Sequence, residues 1–133
     1  MSQWVQKTQK VLDDIKMSTF EKALAEMGFR LDSRTNVSNS WGNDYVDRGM
    51  VKVEGGTELP IGFVFREESG KTSVELRGDF FATGLRENTF LNEVAQMYQK
   101  HNVTEQLENQ GWSIDNIEMN EKKEIVIDAY QWA

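Results

Sequence analysis

The stretch LAEMGFRLD, Leu24 to Asp32, returns far down the chain as LENQGWSID, Leu107 to Asp115. Leu, Gly, an aromatic, an aliphatic and Asp recur at identical spacing, and Phe20 and Val103 extend the match one helical turn upstream. The phrase is restrictive because each copy joins two different periods through a single glycine. In STFEKALAEMGF, Phe20, Ala23, Leu24 and Met27 share one helical face, with Glu21, Lys22 and Glu26 on the other. Ser18 or Thr19 is placed to cap the N-terminus. Gly28 then stops the helix, since the terminating residue commonly takes a positive φ that glycine adopts without a side-chain clash. Phe29 and Leu31 follow in strand alternation. In the second copy Leu91, Val94, Ala95, Tyr98, Val103 and Leu107 form a broad apolar stripe before Gly111, and Trp112, Ile114 and Ile117 begin a strand. A helix-to-strand junction is therefore built twice, by internal duplication or by convergence of two junctions on one solution.

The rest reads as strands. QWVQKTQKV alternates weakly and suits a sheet edge. Between Asp47 and Thr83, Val51 with Val53, then Ile61, Phe63 and Phe65, then Val74, Leu76 and Phe80, each line one face of a run. Gly55-Gly56 and Ser69-Gly70 mark the turns of this antiparallel meander. After the second helix a further turn at Glu121 to Lys123 leads into EIVIDAYQW, with Ile125, Ile127 and Ala129 on one face. The expected fold is α+β: one domain over residues 1–133, an antiparallel sheet with both helices packed on one face, in a two-layer sandwich related to the ferredoxin-like pattern. Residues 33 to 48 fit no period and read as a long loop or a frayed hairpin.

Composition limits function. A chain of 133 residues can bury roughly two thirds of its unfolded surface, and 38% hydrophobic with 11% aromatic residues supports a folded core. No apolar run is long enough to cross a bilayer, and MSQWVQKTQK is too polar for a signal peptide, so the expectation is a cytoplasmic protein without membrane contact. The absence of cysteine removes disulfides, thiolate metal sites and thiol nucleophiles. A formal charge of −7 disfavours a nucleic-acid binder, whose affinity is mostly basic charge displacing counterions.

SQWVQKT, ALAEMG, IGF at Ile61 to Phe63, VELRGDFF at Val74 to Phe81, FLNEVAQMY and GW with a closing tryptophan occur in this order along nearly the whole chain. In this set the chain resembles the hypothetical chloroplast reading frame 35 family, small proteins of red-algal plastids, cyanobacteria, their phages and other bacteria. Two departures stand out: Gln3 lies where the family usually has a histidine, and the aspartate-aromatic motif is followed here by Phe80 and Phe81. The resemblance implies a compact module of unknown function and imports no reaction. Its bacterial relatives are often encoded near AAA-type ATPases, which points to a protein partner.

Few residues invite chemistry. His101 is the only histidine, which excludes a multi-histidine metal site within one chain, and it reads as a half-exposed helix residue. GKT at Gly70 to Thr72 has the ending of a phosphate-binding loop, but Phe65 stands where the first glycine is required and a strand follows instead of a helix. Asn43, Asp44 and Asp47 lack the regular spacing and terminal glutamate of a calcium loop. Glu75, Arg77 and Asp79 alternate onto the sheet face opposite Val74 and Leu76. Carboxylates so spaced can bind a cation or act as acid and base, whereas the intervening arginine favours ion pairing. Asp79 is singled out because the resemblance places the family's aspartate there.

Two functional classes follow. One is a non-catalytic binding or adaptor module, with Trp41, Tyr45, Phe81, Val126 and Trp132 as interface residues. The other is a small-ligand protein or enzyme using a sheet-face pocket around Asp79, Arg77, Glu75 and Tyr130. The first is favoured, since no nucleophile, metal cluster or cofactor loop is visible. With helices on one sheet face, alternation sends Glu75, Arg77, Asp79, Phe81, Val126, Asp128, Tyr130 and Trp132 to the other. That mixed surface, or the edge nearest Trp132, is expected to pair two copies across a twofold axis, burying roughly 800 Å² per partner.

Overall fold

The computed structural model describes residues 5–7, 14–39, 42–80, 83–122 and 124–131. The order is β1 (Val5–Lys7), α1 (Met17–Glu26), β2 (Phe29–Leu31), β3 (Asn36–Asn39), β4 (Gly42–Tyr45), β5 (Arg48–Lys52), a short 3₁₀ turn (Glu54–Gly56), β6 (Thr57–Glu68), β7 (Lys71–Gly78), α2 (Glu87–Asn109), β8 (Trp112–Met119) and β9 (Ile125–Gln131). The fold is α+β, with antiparallel pairing throughout the described strands.

Five strands form the main sheet in the order β1-β7-β6-β5-β2. The meander holds because Ser69 and Gly70 both take positive φ, 53° and 77°, the turn whose twist matches the flanking strands. This hairpin turn places Lys71 at the start of β7, so the GKT string is strand and not a phosphate loop. Phe20, Ala23 and Leu24 of α1 and Phe90, Leu91, Val94 and Tyr98 of α2 share one buried cluster with Ile61, Phe63, Val74, Leu76 and Phe80. Within it Phe20 meets Phe63 edge to face at 5.2 Å, and Phe29 meets Phe90 at 5.5 Å. Both helices thus cover one sheet face, as the periodicity implies.

Local details differ from the sequence reading. Neither Ser18 nor Thr19 caps α1: the N-cap is Lys16, and Thr19 is buried with its hydroxyl donating to Glu105 Oε2 at 2.8 Å. Of the expected pair Val51 and Val53, Val51 is buried but outside the helix-side cluster, which Met50 joins instead, and Val53 lies in the turn after β5, exposed.

The two copies of the repeated phrase do end alike. Gly28 and Gly111 take φ of 91° and 88°, and each donates its N–H to the carbonyl three residues back, Ala25 and Glu108, at 3.0 Å. An added Cβ meets nothing within 4 Å at Gly28 and only the Gln131 side chain, at 3.7 Å, at Gly111. Alanine at either site is therefore expected to cost about 1 kcal/mol, the conformational term alone, in urea unfolding.

The junctions nevertheless lead to different places. β2 joins the main sheet beside β5, whereas β8 and β9, among the described strands, pair only with each other. This corrects the ferredoxin-like expectation of one sheet holding the closing strands. The reason is the reach of α2: its last buried residue is Tyr98, and eleven more residues carry the chain about 16 Å further. The ribbon lies against that distal part of α2 through β8.

The second sheet face is not bare either. Within residues 33 to 48, expected as a long loop or a frayed hairpin, residues 36–39 and 42–45 pair as β3 and β4 and cross β6 and β7 on the side away from the helices. Val37 and Val46 are buried there. Gly62 makes this approach possible: a Cβ on it would lie 2.6 Å from the Arg48 carbonyl oxygen and 2.9 Å from Val46 Cγ1.

Candidate functional site

The covered face holds the charged residues singled out above. Glu75 is only 1% exposed. Arg66 donates to its Oε2 through Nε at 3.0 Å, and Arg77 Nε donates to Oε1 at 3.0 Å. Arg77 also donates to the Tyr45 carbonyl at 3.2 Å and lies 3.8 Å from Asp44 Oδ1. Asp44 Oδ2 is buried without a hydrogen-bond partner among the described residues. Asp47 accepts from the Phe65 N–H at 2.8 Å through one oxygen and from the Tyr45 hydroxyl through the other. That carboxylate holds the Tyr45 phenol above its ordinary value.

This arrangement is a clamp. Both oxygens of Glu75 are taken by guanidinium groups, so it is neither an available base nor an open metal ligand. Asn43, Asp44 and Asp47 are likewise drawn apart: Asn43 accepts from Ser38, Asp44 faces Arg77 and Asp47 completes the start of the β5–β6 pairing. No cluster of three metal-ligating side chains occurs among the described residues. Asp79 is 6% exposed, with its N–H donating to the Pro60 carbonyl at 2.9 Å. Tyr130 does not join it; it lies on β9 in the separate ribbon. Of the expected constellation the structure brings together Glu75 and Arg77 and adds Arg66, Asp44 and Tyr45. The signal that could have located the clamp was the pair Val37 and Val46, two β-branched apolar residues framing the stretch that holds Trp41 and Tyr45.

Two open depressions, of about 270 and 370 Å³, lie elsewhere. Gly84, Leu85, Arg86, Thr89, Phe90 and Glu93 line the first, and the start of α1 with the end of α2 lines the second. Neither contains Asp79 or Tyr130.

Across the helix pair, Glu26 binds Lys100 Nζ and His101 Nε2, each at 2.6 Å. The Lys100 hydrogen bond, followed by that of His101 and against some desolvation, holds the Glu26 carboxyl below its ordinary 4.5. A lowered folded-state value means stability that is present above pH 4.5 and lost as the pH falls through the folded value. Glu26 is 37% exposed, so solvent screens the pair. Glu26→Gln is expected to cost about 0.5 kcal/mol at neutral pH and nothing in acid, with the urea midpoints of variant and parent converging below the Glu26 titration.

The remaining surface of interest is the arm formed by the distal half of α2 and the ribbon. Among the described residues, none after Tyr98 is buried. Cross-strand pairing puts Ile114 opposite Ala129 and Ile117 opposite Ile127 on one face, all half-buried. On the opposite face Val126 and Tyr130 flank Asp128, and they are 39% and 47% exposed. Tyr45 is 53% exposed on the hairpin. Trp41, Phe81 and Trp132 lie outside the described residues, as does Trp4.

A family model described as "Protein of unknown function (DUF1257)" matches residues 23–132. The chain belongs to the DUF1257 family. The match spans both helix-to-strand junctions, the clamp and the ribbon, so all of these lie within the part shared with DUF1257 proteins. No curated protein and no solved structure matches the chain. No helix among the described residues is long and apolar enough to cross a membrane.

Proposed function

We propose that this DUF1257 protein is a non-catalytic cytoplasmic binding module that docks a protein partner through the arm of distal α2 and the β8–β9 ribbon. The observation that carries this reading is the absence of any buried residue after Tyr98 among those described, although the segment includes Val103, Leu107, Trp112, Ile114, Ile117, Ile125 and Ile127. Residues of these types, half-covered along α2, β8 and β9, lose further apolar surface only when something else packs on them. The clamp around Glu75 supports the same reading from the other side, since its charged groups are consumed in holding the hairpin to the sheet.

The resemblance to the hypothetical chloroplast reading frame 35 family is the finer assignment within DUF1257. Through that family's gene neighbours, an AAA-type ATPase is the partner we favour. Hydrogen exchange of the full chain, alone and with an AAA-type ATPase of the same organism, tests the reading. Slower exchange across residues 103–131 is the expected result. Unchanged exchange there, or protection confined to the main sheet, would sink it.

A further inference from the structure

The ribbon's two edges are not equivalent. β8 lies against α2 and carries a register shift between Ile114 and Asn116, which bends and interrupts its ladder. β9 has β8 as its only neighbour among the described strands. Its sequence, IVIDAYQ, contains no lysine, proline or glycine and no bulge on its own side, the usual devices that keep an exposed edge from pairing. A two-stranded ribbon is marginal in water by itself, and a third strand is what ordinarily makes such a unit stable. Among the described strands none lies on the outer side of β9, so this regular, β-branched and aromatic strand presents an edge of backbone donors and acceptors there.

The charge around that edge selects the occupant. From Trp112 to Gln131 the ribbon carries Asp115, Glu118, Glu121, Glu124 and Asp128 against Lys122 and Lys123. Asp128 sits at the middle of β9, between exposed Val126 and Tyr130 on the same face. A second copy would bring the same acidic ribbon and a further net charge of −7. Twofold pairing centred on β9 would set Asp128 against Asp128, which is unfavourable for directly opposed like charges.

We propose that the outer edge of β9 accepts, as a third strand, an extended segment of another protein in which lysine or arginine alternates with apolar residues. The basic side chains meet Asp128 and the neighbouring carboxylates; the apolar ones extend the half-covered face of Ile125, Ile127 and Ala129. This deepens the docking function proposed above and rests on it.

The test uses the full chain and short capped synthetic peptides, followed by amide chemical shifts. One peptide alternates lysine and valine, a second alternates glutamate and valine, and a third is the lysine peptide with proline replacing two valines, so its charge is unchanged. The lysine peptide is expected to move the amides of residues 125–131, and the proline peptide to bind on the order of tenfold more weakly because it cannot complete the ladder. Asp128→Lys, confirmed folded by circular dichroism, is expected to lose the lysine peptide and to accept the glutamate peptide.

Equal binding of the proline peptide, shifts confined to other acidic surfaces, or no shift at all would each overturn strand addition. So would a dimer mass in sedimentation with β9 amides protected in the protein alone, which would make a second copy the occupant. If the peptides fail while the ATPase still protects residues 103–131, strand addition falls and the docking function stands. If neither reaches the arm, both fall.

Discussion

Glu75→Ala is expected to destabilise the protein by about 3 kcal/mol, lowering the thermal midpoint by roughly 10 °C for a chain of this size. The variant leaves Arg77, whose side chain is 14% exposed, without the carboxylate it was folded against. Its remaining contacts are the Tyr45 carbonyl and Asp44 at 3.8 Å. Arg66, half exposed, recovers its solvation and adds little to the loss. The informative contrast is Glu75→Leu with Arg77→Met, which removes both charges at similar volume and should recover part of that loss, because burying an ion pair gains little over apolar packing; the rest reflects Asp44 and the Tyr45 carbonyl, left without Arg77. Urea and thermal unfolding of the single and double variants measure this directly. Equal loss in both would mean that the pair does more than hold the hairpin. A neutral Glu75→Ala would mean that the cluster is already solvated.

The second large effect is expected at Gly78. It ends β7, pairs with Ile61 on one side and Val5 on the other, and takes a φ of 130°. A Cβ there would run into the Pro60 carbonyl oxygen and lie 2.7 Å from the Ile61 Cα, both main-chain atoms of the adjacent strand. Backbone in a paired sheet cannot yield as a side-chain tip does, so strain at positive φ adds to a clash that only strand displacement relieves. Gly78→Ala is expected to cost about 4 kcal/mol, in the range reached only by a few named mechanisms. Gly111→Ala, with the same backbone sign and open space around it, provides the internal control at about 1 kcal/mol. Similar unfolding midpoints for the two variants would show that the β6–β7 pairing is looser at its end than the register implies.

Much of this architecture could be read from residues in order along the chain. The helix stops at Gly28 and Gly111, the Ser69-Gly70 turn and the inward faces of α1, α2, β6 and β7 follow from how neighbouring residues constrain φ and from which positions repeat every 3.6 or two residues. These are local properties, settled within a few residues of each site. Partner choice is of another kind. The strand after Gly111 has the same grammar as the strand after Gly28, yet one forms a separate ribbon and the other closes a sheet edge, because α2 runs past the core and α1 does not. Glu75 alternates to the face away from the helices as its position requires, but its burial depends on Val46 finding the gap above Gly62, sixteen residues further along the chain in β6. Alternation assigns a side chain to one face of a sheet; what covers that face is decided by contacts between segments distant in the chain, whose energies no single segment carries.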